Sequence, residues 1–588
     1  MILILAEKPK AAFKIASILS RGKLSVKKEG PVKYFEFFRG NSKIVCVPSL
    51  GHLFKLDVKN RKKWYYPVFK VEWMPTYKEV GKRKLNFYLK VLEKLGKKAS
   101  DIIIATDYDI EGDVIGYNIL RFVFKRSNAK RMKFSSLTKE EIENAFKNLM
   151  PSLDFGQVFA GLTRHYLDFY WGVNLTRALS LCARYFVKKK VVISVGRVQS
   201  PTLYLVFKRE KEIEKFVPKV FWTIKAELEK NGKKFVANYE GGRIFDESAM
   251  FKILNECRKE NRGKVVSKRV EKIKILRPVP FDLTTLQREA YKYFKISPSK
   301  TLKIAEDLYL EGLISYPRTS SQKLPKTLNV RVILAKLRKF SEYSSIANEL
   351  LDKGFDIRNG RKDDPAHPAI YPTGNLPKKL KNDEKKIYDL IVRRFLACMY
   401  KDATKVRSVV RIKIGKYTFV AESQKIERKG WLKVYKFAHV EESEIPDLEE
   451  GEEVNVVRVV PKKDKTKPPP HYNQGELVAE MEKRKLGTKG TRSRIIDILY
   501  KRGYIRGKSK ILITELGERL VNTLEKFVQE ILSEKLTRHF EEEMEKVMKK
   551  EKRMDDVLRE AKIVLIKILT EIKRNEYNIG KYLQKGLS

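Results

Sequence analysis

The spacing of apolar and polar positions divides the chain into blocks of different period. Met1-Ile2-Leu3-Ile4-Leu5-Ala6 and Ile102-Ile103-Ile104-Ala105 are unbroken apolar runs. Such runs predict strands buried on both faces of a mostly parallel sheet. Residues 34–38 and 43–47 lie either side of Gly40-Asn41 and read as a strand pair, and residues 132–135 as a further strand. Helices are expected from Pro9 through Leu19, near residues 85–95, after Gly112, and over residues 139–149. Thr138 would cap the last of these, with Glu141 at capping-box spacing. Residues 1 to about 150 therefore read as α/β, with functional groups expected at the strands' carboxyl ends.

The period then changes. Residues 150–215 look helical with polar insertions, whereas 220–228, 234–239, 264–275, 406–414, 417–421 and 454–460 look like strands. Two strand-rich blocks, 216–280 and 405–465, thus flank a helical block, 281–404. The simplest account is one β domain interrupted by an inserted helical domain, an arch. Residues 462–470 are basic and Pro-rich and read as a linker. A helix, a turn and a short β wing follow over 471–505, with winged-helix spacing, and two amphipathic helices close the chain.

Composition narrows the partners. Lys and Arg number 125 against 73 acids, a formal charge of +52 over 588 residues. That excess points first to nucleic acid and second to an anionic membrane surface. No apolar stretch approaches the ~20 residues of a membrane span, and the first residues lack the basic start of a signal peptide. Cys46, Cys182, Cys257 and Cys398 are far apart, which predicts neither a zinc ribbon nor disulfides and fits a reducing cytoplasm. Abundant Lys and Glu with sparse Gln lean towards a hyperthermophile.

Against that positive background, the acidic burst Asp107-Tyr108-Asp109-Ile110-Glu111 stands out. If the chain stays extended, the three acids share one face and repel each other unless a cation sits among them. Hard oxygen ligands suit Mg²⁺. Glu7 ends the first strand and could meet them, and Lys8 could steady a phosphate's developing charge. Further along, Arg164 and Arg177 lie on the helical block. Ser194-Val195-Gly196-Arg197-Val198-Gln199 offers a close backbone approach, a guanidinium and an amide to a nucleic-acid strand. Tyr316 is distinguished by its company: Pro317 and Arg318, then three hydroxyl residues. A phenolate can attack a phosphodiester where cations stabilise the transition state. His367 sits in a Pro-punctuated loop, and Arg492 follows the Gly487-Thr488-Lys489-Gly490-Thr491 turn.

Taken together in this order and spacing, these motifs resemble the type IA DNA topoisomerases, nearest to the topoisomerase III branch and its archaeal members. The resemblance covers nearly the whole chain. It rests on Ala6-Glu7-Lys8-Pro9, Gly51-His52-Leu53, residues 105–112, 194–200, Leu286-Gln287, and residues 315–321, 366–372 and 487–492. It implies a Toprim domain over 1–149 and a helical, winged-helix-like DNA-binding domain from 150–215 with 466–588. It further implies a β-rich arch from 216–280 with 405–465 and a nucleophile domain over 281–404, the whole forming a torus wide enough for duplex DNA. Tyr316 would cut one strand through a 5′-phosphotyrosine, another strand would pass, and the 3′ hydroxyl would reseal the break. Such an enzyme relaxes negative supercoils or decatenates DNA without ATP, and no Walker-type phosphate loop is visible. Glu7, Asp107, Asp109 and Glu111 would hold Mg²⁺, with Lys8, Arg318 and His367 serving the transition state and the scissile phosphate. Residues 194–199 would grip DNA, with Arg164, Arg177, His52 and Arg492 as further contacts. No zinc is expected, because the C-terminal cysteine clusters common in the family are missing here. The expected partners are single-stranded and negatively supercoiled DNA, with a helicase or single-strand-binding protein as an accessory. A cytoplasmic, nucleoid-associated monomer is expected, resting with Tyr316 against the acids. Two other classes fit parts of the pattern. One is a Toprim nuclease or primase without a tyrosine intermediate; the other is a non-enzymatic DNA binder carried by charge alone.

Overall fold

A computed structural model describes residues 1–59, 64–187, 191–377 and 379–584. The two apolar runs form adjacent parallel strands, Ile2–Ala6 and Asp101–Ala105, in register from Ile2 opposite Asp101 to Ala6 opposite Ala105. They occupy the middle of a six-stranded mixed sheet. Its order is Ser25–Glu29, Val32–Arg39, Ser42–Pro48, Ile2–Ala6, Asp101–Ala105 and Lys130–Arg131. Because successive side chains point to opposite faces, each strand serves two cores. Leu3, Leu5, Ile102 and Ile104 pack with Val114 and with Val158 and Leu162 of the long helix Phe155–Arg184. Ile4, Ala6 and Ile103 face the other way, into a core that continues without a break into Leu286, Tyr309, Tyr316 and Phe395 of the inserted helical block. The sheet is therefore sealed on both faces, which is why these strands read as continuous apolar runs.

The two strand-rich blocks close into one six-stranded barrel, Val220–Lys230, Lys233–Tyr239, Arg262–Ile275, Ala403–Ile414, Tyr417–Arg428 and Glu453–Lys465. The chain leaves the barrel after Ile275 and returns at Ala403, and those two residues are paired across it. The inserted helices are thus held on two adjacent strand ends. Helices Phe155–Arg184 and Gln199–Glu214 share a separate core with the C-terminal helices.

Several expectations need correction. Residues 132–135 are not strand: pairing to Asp101–Ala105 covers only Lys130 and Arg131, and the chain then swings out towards the inserted block. The helix after Thr138 ends at Lys147, and although Thr138 Oγ1 accepts from Glu141 N, the Glu141 carboxylate accepts from Ser135 N instead of completing a capping box. Residues 462–465 belong to the barrel, paired with Val220 to Thr223, so linker begins only beyond Lys465. Four helices finish the described chain, not two: Glu515–Phe527, Glu534–Met548, Met554–Arg574 and Glu576–Gln584. The wing is the pair Ile505–Arg506 and Leu512–Ile513 behind helix Arg492–Lys501. All four cysteines are free and buried. No helix among the described residues is long and apolar enough to cross a membrane.

Candidate active site between the acidic strand ends and Tyr316

Beyond Ala105 the backbone is pinned from below by one buried guanidinium. Arg131, with no exposed surface, donates from Nη1 to the carbonyls of Thr106 (2.8 Å) and Met132 (3.0 Å). It also donates from Nη2 to the Asp107 carbonyl (2.8 Å) and from Nε to Asp113 (2.8 Å). Gly112 is required by a close approach: a Cβ there would meet the Asp107 carbonyl oxygen at 2.0 Å. Asp109 then caps helix Ile110–Ile119, its Oδ1 accepting from Gly112 N at 2.8 Å.

This early helix start separates the three acids. In a helix Glu111 turns away from the face that Asp107 and Asp109 share. His52 Nε2 lies 2.6 Å from Glu111 Oε2, His165 Nε2 lies 3.3 Å from it, and Arg164 pairs with the other oxygen. The extended arrangement expected for Asp107, Asp109 and Glu111 is therefore not the one adopted. Burial holds the His52 imidazole down at about 4 and that of His165 at about 3, so both rings are neutral near pH 7.

Asp107 and Asp109 each meet a tyrosine of the inserted block. Tyr316 Oη donates to Asp109 Oδ2 at 2.6 Å, and Tyr309 Oη donates to Asp107 Oδ1 at 3.2 Å. The Tyr316 backbone is fixed by its N–H, which donates to the Ser135 carbonyl at 2.8 Å, so the divergence of residues 132–135 positions the tyrosine. The His367 ring lies 4.4 Å from the Tyr316 ring, with Nδ1 3.0 Å from Ser135 Oγ. His367 Nε2 is buried and has no hydrogen-bond partner among the described residues. Burial, then the Lys489 charge, pull the His367 imidazole down to about 4. Arg318 donates from Nε to Glu306 at 2.7 Å and sends Nη1 to within 3.9 Å of Asp109. Lys8 Nζ lies 3.2 Å from Glu7 and 3.4 Å from Asp107.

The electrostatics of the two aspartates diverge. Burial, reinforced by the Glu7 charge, pushes Asp107 up to about 7 despite Lys8. Burial works on Asp109 too, but Arg318, the Tyr316 hydroxyl and the Gly112 N–H outweigh it and leave its carboxyl below the usual range. Burial and then Asp109 hold the Tyr316 phenol well above its ordinary value, so in this closed arrangement it is protonated. Glu7 and Asp107 are two carboxylates that share the single ammonium of Lys8, and their hard oxygen donors fit a divalent cation.

Residues 2–137 match the family model for the Toprim domain, and residues 152–559 match that for DNA topoisomerase. The chain belongs to the type IA DNA topoisomerases. It is 46% identical to DNA topoisomerase 1 of Pyrococcus horikoshii, over 100% of this chain and 86% of that one. It is 43% identical to DNA topoisomerase 1 of Methanocaldococcus jannaschii, over 100% and 76%. A crystal structure described as full-length topoisomerase I from Thermotoga maritima aligns with a TM-score of 0.75 at 30% identity, covering 97% of this chain and 90% of that one. These archaeal relatives carry the number 1 in their names. The chain is therefore an isomerase acting on DNA, with a domain of a metal-binding family at its N-terminus.

The remaining candidates of this topoisomerase divide into two groups. Arg197 is buried: its guanidinium lies 3.3 Å from Asp168 and 2.8 Å from Glu541, so it braces helix Phe155–Arg184 against helix Glu534–Met548. Gln199 Nε2 donates to the Ser194 carbonyl at 3.0 Å, and Val195 N donates to Thr176 Oγ1 at 3.1 Å, so residues 194–199 form a self-bonded loop. Helix Gln199–Glu214 follows, with Val198 at its cap. Gly196 is not crowded; a Cβ there would make only ordinary contact, at 3.5 Å, with Gln199. Arg492 donates to the Leu486 carbonyl at 3.3 Å, and Arg177 to the Tyr65 carbonyl at 3.1 Å. Neither lies with Tyr316. Sequence reasoning missed Tyr309, Glu306, Arg131 and the pair Lys489–Asp364, whose aspartate also accepts from Ser320 N and Oγ, both at 2.9 Å. Lys489 stood within a motif already noted; Tyr309 and Glu306 carried no local signal.

Proposed function

We propose that Tyr316 is the nucleophile of a Mg²⁺-dependent, ATP-independent strand-passage reaction. The observation that carries this reading is the 2.6 Å bond from the Tyr316 hydroxyl to Asp109, across the boundary between the acidic sheet and the inserted block. Tyr316 Oη attacks the scissile phosphorus, and the P–O bond to the 3′ oxygen breaks. The product is a 5′-phosphotyrosine and a free 3′ hydroxyl, and reversal of the same step reseals the strand. Asp109 accepts the phenolic proton, Lys8 and Arg318 stabilise charge on the phosphoryl oxygens, and His367, neutral, orients the phosphate. When it is not holding the metal, Glu7 instead returns a proton to the leaving 3′ oxygen. Glu7, Asp107 and Asp109 would hold Mg²⁺, which supplies charge stabilisation at the phosphate when bound. Glu111, engaged by Arg164, His52 and His165, supports from behind.

In this reading 1–149 and the inserted block 281–404 are the two jaws of a gate. The barrel from 216–280 and 405–465 is the arch that carries one jaw, and 150–215 with 466–588 bind the single strand. The enzyme acts on single-stranded regions of negatively supercoiled DNA as a nucleoid-associated monomer, with a helicase as a natural partner and no zinc. Incubation of negatively supercoiled plasmid with Mg²⁺ and no ATP, stopped with detergent, tests the reading. A ladder of relaxed forms and protein attached to a 5′ end are expected, and both vanish in Tyr316→Phe. Continued cutting by Tyr316→Phe would indicate a nuclease, and no change in linking number across a range of temperatures would indicate a binder.

A further inference from the structure

At the far end of helix Phe155–Arg184, away from Tyr316, an open cavity of about 830 Å³ lies between Trp64, Tyr65 and Tyr66, the last turn of that helix, and helix Met554–Arg574. We propose that this groove is a second single-strand site, where DNA bases stack on aromatic rings and phosphates meet cations. The proposal rests on the reading above that the enzyme works on single-stranded DNA.

Four observations support it. The first is shape and size, since the volume lies within the ~300–1,000 Å³ of ordinary ligand sites. The second is exposed ring surface: Tyr65 is 49% and Tyr185 63% exposed, although burying such rings is ordinarily favourable. Arg184 already stacks on Trp64 with its guanidinium 4.5 Å from the ring centre, a platform that base stacking would extend. The third is charge. Arg184, Lys573 and Arg574 line the groove; Lys573 pairs with Glu576 at 2.5 Å and Arg574 with Glu571 at 2.7 Å, and Arg184 lies over Trp64. The fourth is hydrogen bonding. Tyr66 Oη and Arg184 Nε are buried in the lining and have no hydrogen-bond partner among the described residues. Buried polar groups are rarely left unpaired. Both lie just beneath the groove wall, so a base edge or phosphate oxygen satisfies them once the wall shifts to expose them.

The site is distinct from the scission centre. Twenty helical residues separate Arg164, beside Glu111, from Arg184, which is roughly 30 Å at ~1.5 Å per residue. An oligonucleotide of about 8 nucleotides centred on Tyr316 extends only ~14 Å to either side at ~3.4 Å per stacked nucleotide and falls short of the groove, whereas a long strand can occupy both. The groove would hold single-stranded DNA flanking the gate while the cut strand is open.

The test compares oligothymidines of about 8 and about 25 nucleotides. Binding is measured on the full chain carrying Tyr316→Phe, and 5′-adduct formation on the chain with Tyr316 intact. Trp64→Ala and Tyr185→Ala are each expected to weaken binding of the longer strand about 10-fold, as loss of one stacked base does. Both should leave adduct formation with the shorter strand unchanged. Arg574→Ala should lower the salt slope for the longer strand by about 1 and leave that for the shorter one alone. Trp64 is half-buried, so if Trp64→Ala fails to fold, the exposed positions Tyr185 and Arg574 decide. Unchanged long-strand affinity in folded Tyr185→Ala and Arg574→Ala overturns the proposal. Absence of adduct from the unsubstituted chain would instead overturn the reading of Tyr316 and leave the groove's binding to be judged on the long strand alone.

Discussion

Asp107 and Asp109 stand two residues apart at the end of one strand, and each accepts a hydrogen bond from a tyrosine of the inserted block. Their surroundings make them different acids. Asp107 is buried and pressed by Glu7, and Lys8 with Arg318 only partly offsets this, so it holds a proton up to about 7. Asp109 faces Arg318, the Gly112 N–H and Tyr316, and ionises readily. The tyrosines differ in the same sense. Tyr309 lies within helix Pro298–Leu310, in the shared core. Tyr316 lies on a loop against His367 and near Arg318, where a phosphate could be held. The contrast teaches that a tyrosine–aspartate bond alone does not define a nucleophile. The ionised acceptor, the cation and the free imidazole nitrogen around Tyr316 do.

The largest effect should separate the tyrosines. Tyr316→Phe is expected to lower adduct formation and relaxation by about 10⁴-fold or more, whereas Tyr309→Phe should keep adduct formation within about 10-fold. Detergent-trapped adduct on a labelled oligonucleotide measures both. Equal losses in the two variants would remove the distinction drawn here. Next come the aspartates. Asp107→Asn and Asp109→Asn should each cut relaxation by about 10²–10³-fold, with oligonucleotide affinity nearly unchanged. Asp107→Asn should also raise the Mg²⁺ concentration needed for half-maximal rate. A smaller loss, about 10–10²-fold, is expected for His367→Ala. Because burial keeps this imidazole at about 4, the wild-type adduct rate should show no inflection near pH 6.5. A histidine-like inflection there that disappears in His367→Ala would contradict a neutral role.

Much of this contrast was legible in the chain, and the rest was not for identifiable reasons. An apolar run ending in acids is a strong signal, because few structures other than a buried strand end accommodate it. The fate of Glu111 was illegible. It depends on where a helix begins, and Asp109 caps it two residues earlier than an extended reading allows. Tyr309 was one of 27 tyrosines and sat at ordinary core spacing on a helix; its partner is 202 residues away. Arg131 looked like one basic residue among 125, yet it is fully buried. The strand-rich blocks were visible by their period, but closure into a barrel depends on pairings such as Val220 with Lys465, which no local pattern encodes.

The mildest way to sharpen the comparison leaves activity aside and reads stability. Asp107 binds a proton more tightly in the folded protein than in the unfolded chain, where its pKa is near 3.8. Its favourable contribution is complete below about pH 4 and is lost as the pH rises through about 7. Asp109 has the opposite sign. Its lowered folded value adds stability above the ordinary carboxylate range, and that stability is lost only in stronger acid. Between pH 4 and 7 the Asp107 effect therefore acts alone within this pair. Metal-free protein should lose on the order of 1–3 kcal/mol across that window from this group. Asp107→Asn, which cannot ionise, should flatten the slope, and Asp109→Asn should not. A divalent cation competes with the Asp107 proton, so added Mg²⁺ should raise the melting temperature more at pH 7.5 than at pH 5. Thermal melts across that range, with and without Mg²⁺, measure the effect. A slope unchanged by Asp107→Asn would mean that Asp107 is ionised in the closed site after all, with Lys8 compensating its charge.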